Sequence, residues 1–194
     1  MVKNEQQRWT LNDITALFDG VFFERYQTRL IRGGDEPLYR PRTLDTPYHQ
    51  VIFARGFFAS ALHEISHWCI AGEKRRQLED YGYWYLPDGR DAQQQQAFEK
   101  AEIAPQALEQ LFTRACGRTF YVSVDNLGGD VEVDRDAFAS SVAARAAGYL
   151  DRGLPLRANA FLVALTRYYQ HQDTLAQAIK QGQRELDAAP VEAV

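Results

Sequence analysis

Ile14, Leu17 and Phe18 recur at helical spacing behind Thr10, which suits an N-cap, and the stripe stops at Gly20, so a short first helix is predicted. Phe58, Leu62, Ile65 and Cys69 carry the same spacing further and predict a helix from about Phe57 to Ala71, with Gly72 placed to end it. Asp91 is a candidate cap for a glutamine-rich helix from Ala92 to about Ile103, whose weak apolar periodicity predicts only partial cover of a core. Pro105 suits the first turn of a separate helix with Leu108, Leu111 and Phe112 on its apolar side and Gly117 past its end. Phe138, Val142, Ala146 and Tyr149 ahead of Gly153, then Phe161, Leu162, Leu165 and Tyr168, predict two more.

Alternation with period two is rarer. Phe120, Val122 and Val124 alternate with Tyr121 and Ser123 in the clearest strand signal of the chain, ended by Asp125-Asn126 and Gly128-Gly129. The string from Tyr26 to Tyr39 reads as two extended arms joined at Gly33-Gly34, with no pairing assignable, and residues 41–50 form a loop leading into a short strand at Val51-Ile52-Phe53. Gly33-Gly34 is turn chemistry, because the Lys-Ser/Thr partner of a phosphate loop is missing. YGYWYLPDGRD, after the basic turn Lys74-Arg75-Arg76, is an aromatic arm closed by Pro87-Asp88-Gly89, and residues from about 181 to 194 are expected to be a frayed tail. The class predicted is α+β: one domain over residues 1–194, a small mixed sheet packed with several helices, and the helix around residues 63–67 central.

Composition supports that picture and narrows the function. With 194 residues, 45% of them hydrophobic, the chain can bury one substantial core. A net charge of −4 argues against broad nucleic-acid binding, which leaves a basic excess or stripe. The opening MVKNEQQRWTLND has neither an apolar leader core nor a cleavage site, and no apolar run is long enough for a membrane span, so a cytoplasmic enzyme is expected. Cys69 and Cys116 are expected to be buried thiols in helices, neither disulfide-bonded nor nucleophilic.

The chemistry concentrates in His63-Glu64-Ile65-Ser66-His67. Four residues advance a helix by about 400°, so the two imidazoles lie about 40° apart in azimuth and roughly 6 Å apart along the axis, within reach of one divalent ion. Only four histidines occur in the chain, and two are spent here, inside an apolar helix, which favours a metal over local hydrogen bonding. His49 and His171 lie in polar surroundings and are not expected to be ligands. A third ligand must come from elsewhere. The metzincin extension is excluded, since it needs Gly at 70 and His at 73 where this chain has Ile70 and Glu73. Glu99, Glu102 and Glu109 in FEKAEIAPQALE are the carboxylates available downstream, and Glu102 is preferred, with Glu99 second, because it stands at the junction before Pro105. Two histidines and one carboxylate serve both non-heme Fe(II) oxygenases and zinc hydrolases, so the ligand set leaves the reaction open. Glu64 is the candidate catalytic residue: general base on a zinc-bound water in a peptidase, or a group that orients water or a cationic substrate in an oxygenase. A non-enzymatic binding module with a structural metal is the third reading.

Beyond the motif, the blocks RLIRGGDEPLY, FARGFFASALHEISHWCIAG, YGYWYLPDGRDAQ, EIAPQALE and VSVDNLGGD resemble the bacterial elongation factor P hydroxylase family over residues 25–150. The resemblance implies hydroxylation of the β-lysylated lysine of elongation factor P, with O2 as cosubstrate and Fe(II) held by His63, His67 and a downstream carboxylate, most plausibly Glu102; zinc is the alternative metal. It also implies a fold like that of a metal-dependent ribonuclease of rRNA maturation; from the charge and the apolar pattern, neither direct nucleic-acid nor membrane binding is expected. A lysyl-lysine side chain needs acidic groups for its ammonium ends and aromatic walls for its methylenes. Asp88, Asp91 and Asp125 with Tyr83, Trp84, Tyr85 and Trp68 are candidates, although core packing and turn capping are the readier explanations of these residues, as loop bracing is of Arg90.

Overall fold

The computed structural model describes residues 9–82, 89–124 and 133–188. Thr10 accepts a hydrogen bond from the Asp13 N–H at 3.0 Å and opens α1 (Leu11–Tyr26), which buries Ile14, Leu17, Phe18, Val21 and Phe22. The helix does not stop at Gly20. A Cβ there would sit 2.4 Å from Ile179, so this glycine is a point of close helix approach rather than a terminus. Ile179 belongs to α6 (Leu175–Ala188), a final helix absent from the sequence reading. Residues 181–188 are therefore helical, not frayed: Gly182 and Leu186 are buried, and a Cβ on Gly182 would meet Val21 at 2.8 Å. Leu175, Ala178, Ile179, Gly182 and Leu186 recur at helical spacing along α6, a stripe that reading 181–194 as a tail passes over.

A three-stranded sheet follows α1 in the order β1-β3-β2, from β1 (Thr28–Arg32), β2 (Leu38–Arg40) and β3 (His49–Phe53). The two arms around Gly33-Gly34 do not pair with each other. β3 enters between them, parallel to β1 with Leu30 opposite Val51 and antiparallel to β2 with Tyr39 opposite Val51. Asp19 ties α1 to the sheet edge, accepting from the Leu30 N–H at 2.9 Å and from Arg29 at 3.2 Å. β3 leads directly into α2 (Phe58–Ile70).

The largest departures from expectation lie in the next segment. A single helix, α3 (Ala92–Ala115), replaces the two predicted, with Pro105 inside it. Asp91 caps it through a reciprocal box with Gln94 (Asp91 Oδ1 to Gln94 N–H, 2.8 Å). A proline costs one helical hydrogen bond and crowds the preceding turn, and burial of Pro105 together with Gln106 to Thr113 offsets that loss. Residues 118–124 form no strand. Val124 is buried and Tyr121 is 81% exposed, so the alternation reports the in-and-out pattern correctly, but no backbone ladder forms. The Gln106 side chain takes the place of a neighbouring strand, donating to Ser123 C=O at 2.5 Å and accepting from Ser123 N–H at 3.0 Å. α4 (Arg135–Arg152) and α5 (Leu156–Tyr169) bear the predicted stripes and complete one hydrophobic cluster. The architecture is α+β with a small mixed sheet, and none of the described helices is long and apolar enough to cross a membrane.

Candidate metal centre

α2 lies with opposite sides in different environments. Ile65 and Trp68 point into the core, where Trp68 is wholly buried with ring centroids 5.1 Å from Phe18, 4.7 Å from Phe22 and 5.5 Å from Tyr26. Trp68 is thus core packing and not a wall of a substrate channel. The last turn is held by Arg76 and Arg157, both donating to Ala71 C=O, with the Arg157 guanidinium 4.8 Å from the Trp68 ring centre. The remaining side of α2 presents His63 and His67 to α3.

There the two imidazoles meet Glu102. His67 Nε2 lies 3.1 Å from Glu102 Oε1, His63 Nε2 lies 3.6 Å from Glu102 Oε2, and the two Nε2 atoms are 3.2 Å apart. Ligand bonds of about 2.0–2.2 Å at tetrahedral to octahedral angles separate neighbouring donors by about 3–3.5 Å, so the two Nε2 atoms and the Glu102 carboxylate converge at about the spacing one divalent ion needs. Among the described residues, His63, His67 and Glu102 are the group of His, Cys, Asp and Glu able to hold a metal. Glu99 is elsewhere engaged, accepting from Gln95 at 2.9 Å. Glu109 does reach His63, but on the far side of the ring, with Oε2 2.8 Å from Nδ1. His49 lies against Tyr39 Oη at 3.1 Å and His171 against Arg167 at 3.2 Å, both outside the group.

The electrostatics match a cation seat. Burial alone would lower the His63 pKa, yet the Glu109 hydrogen bond and the charges of Glu102, Glu109 and Glu64 lift it to about 10. Burial likewise favours neutral Glu102, but His67, as charge and hydrogen-bond partner, with His63 and the Gln106 amide, holds its carboxyl at about 2. Without a metal, the centre is an imidazolium facing a carboxylate, and a divalent ion substitutes for the proton. Glu64 sits partly buried beside them, its carboxyl raised by burial against the pull of His63 and His67.

The unbroken α3 explains why these groups meet. Glu102, Gln106 and Glu109 stand at i, i+4 and i+7, within about 60° of one another on one helical side. Gln106, fully buried, donates to Glu102 Oε2 at 3.2 Å and so links a candidate ligand to Ser123. Sequence reasoning missed Gln106, because a helix break at Pro105 puts it on a different element from Glu102. Arg90 braces the start of α3, donating to Gln95 Oε1 at 2.8 Å with its guanidinium 3.9 Å from the Phe98 ring centre. Asp91 is the helix cap. Tyr83, Trp84, Tyr85, Asp88 and Asp125 lie outside the described residues.

A helix pair presenting two imidazoles and a carboxylate, backed by a small mixed sheet, places the chain among α+β proteins with a candidate metal centre at a helix interface. Residues 17–179 match the family model described as elongation factor P hydroxylase, a span that includes both helices of the centre. The chain is also 47% identical over 165 residues to the elongation factor P lysine hydroxylase of Haemophilus influenzae, an alignment covering 85% of this chain and 92% of that protein. The chain belongs to the elongation factor P hydroxylase family.

Proposed function

We propose that this chain hydroxylates the β-lysylated lysine of elongation factor P, with Fe(II) held by His63, His67 and Glu102 and O2 as cosubstrate. The observation that carries the reading is the 47% identity, across nearly the whole length of the relative, to a protein named for lysine hydroxylation of elongation factor P. The convergence of two Nε2 atoms and one carboxylate supports it, since this donor set suits Fe(II) and leaves coordination positions for other ligands. When bound, iron supplies the activation of O2 that a C–H hydroxylation requires.

The protein groups have separable tasks. His63 and His67 offer neutral Nε2 lone pairs once a metal displaces the His63 proton, and Glu102 contributes the single negative charge. Gln106 keeps Glu102 facing α2. Glu64, whose carboxyl holds a proton more readily than an ordinary glutamate, takes up or releases a proton beside the centre. The chain acts as a single cytoplasmic domain on a protein substrate, without direct contact to nucleic acid or membrane.

Intact-mass analysis of β-lysylated elongation factor P, incubated aerobically with Fe(II)-loaded protein and an added two-electron reductant such as ascorbate, is expected to show one added oxygen atom, the second atom of O2 leaving as water. His63→Ala and Glu102→Gln proteins are expected to add none; full activity of His63→Ala would sink the proposal. The half-buried Glu64 beside the His pair also suits a zinc peptidase with Glu64 as general base. Zinc in anaerobically purified protein, together with cleavage of unstructured peptides, would favour that reading instead.

A further inference from the structure

We propose that Glu109 is the positioning residue for His63, fixing the ring so that Nδ1 carries the proton and Nε2 keeps its lone pair for the metal. This rests on the metal reading of His63, His67 and Glu102. A neutral imidazole has one proton for two nitrogens, and only the unprotonated nitrogen can be a ligand. His63 Nε2 faces His67 and Glu102, while Nδ1 faces Glu109 Oε2 at 2.8 Å, so a carboxylate sits on the nitrogen that must hold the proton. An outer carboxylate of this kind also raises the basicity of the ligating nitrogen.

Three further observations separate this role from that of a surface charge or a ligand. Glu109 is only 8% exposed, beside a cavity of about 240 Å³ that it lines with Phe58, Leu62 and Phe120 and with the polar Thr113 and Arg118, so its carboxylate is held at the helix interface rather than out in solvent. Its contact is with the side of the His63 ring turned away from Glu102, so it lies outside the converging donor group. It also stands at i+7 from Glu102 on the same helix, so one rigid element sets both the third donor and the orientation of the first. Loss of that second task should loosen metal binding without removing a ligand.

The test is Co(II) binding by chelator competition on the full chain, with the visible spectrum of the bound ion as a second readout. Glu109→Ala is expected to weaken Co(II) binding by about 10- to 100-fold and to alter the spectrum. Glu109→Gln, whose side-chain carbonyl still accepts from Nδ1–H, is expected to recover most of the affinity. Wild-type affinity and spectrum in Glu109→Ala would overturn the proposal. So would a loss in Glu109→Gln as large as that of Glu102→Gln, which would make Glu109 a ligand. If Glu109→Ala does not fold by circular dichroism, the two glutamine variants decide between these outcomes. Failure of the underlying metal reading looks different: wild-type protein would then bind Co(II) no more tightly than His63→Ala.

Discussion

The two helices of the candidate centre arrive at it by different routes. In α2 the pairing of His63 with His67 is a property of one turn, and any straight helix with this spacing delivers it. Core packing then only aims the pair, through Trp68 against Phe18 and Phe22 and through the arginines on Ala71 C=O. In α3 nothing local announces a site. Its first half is polar, it contains a proline, and its glutamates are ordinary surface residues until the helix runs on through Pro105 and docks against α2. A chelating pair is therefore local chemistry, whereas the third donor and its supports are products of tertiary structure.

The sharpest way to break this contrast is to remove one donor from each helix. His63→Ala or His67→Ala is expected to lower metal affinity by more than about 100-fold, beyond the range for outer-shell partners, and Glu102→Ala is expected to match them in chelator competition. Near-wild-type affinity in Glu102→Ala alone would reduce α3 to packing. Next in size is Gln106→Ala, which strips partners from Glu102 and from both backbone groups of Ser123. A loss of about 1–3 kcal/mol is expected by denaturant titration, because the buried Glu102 carboxylate loses a partner and the 118–124 segment loses its tie to α3. An unchanged midpoint would show that residues 118–124 are held by other contacts.

The pairing across the helices also predicts a pH response in metal-free protein. His63 is raised from 6.5 to about 10, so its contribution is complete below pH 6.5 and is lost as pH rises through 10. Glu102 is lowered from 4.5 to about 2, so its contribution is complete above pH 4.5 and is lost as pH falls toward 2. The contribution of this pair to metal-free stability is thus expected to be greatest between pH 4.5 and 6.5, with a slope of up to about 1.4 kcal/mol per pH unit on either side, while the raised Glu64 works against it as pH rises above 4.5. Metal affinity should rise with pH over the alkaline limb, as the ion displaces the His63 proton. A flat profile measured by thermal melting would place the imidazole and carboxylate out of contact. The smallest effect is expected for Pro105→Ala. The helix already runs through this position, so metal affinity should hold, and a large change would make the local distortion at the proline part of the site.

Much of the molecule was legible before folding. Thr10 and Asp91 as caps, the α2 boundaries, the stripes of α4 and α5 and the buried, unpaired Cys69 and Cys116 all follow from short-range pattern. The two misplaced helix ends share one cause. Gly20 and Pro105 look like helix stops when only intrinsic propensity is weighed, and packing against Ile179 and burial of the α3 face override it. Val122 and Val124 look like a strand because alternation encodes burial but not hydrogen-bond partners, and here a glutamine amide supplies them.

His63-Glu64-Ile65-Ser66-His67 carries its own geometry, because residues one helical turn apart share a side of the helix whatever surrounds them. Its blocks of flanking sequence carry the family. Which carboxylate faces the pair is another matter: Glu99, Glu102 and Glu109 are equivalent as residue types and close in sequence, and they part company only through their places around and along α3 and the docking of α3 on α2. That docking turns Glu102 toward both Nε2 atoms, sets Glu109 on Nδ1 and leaves Glu99 to Gln95, because about 60° of rotation parts Glu99 from Glu102 and about two turns of rise part Glu109 from it.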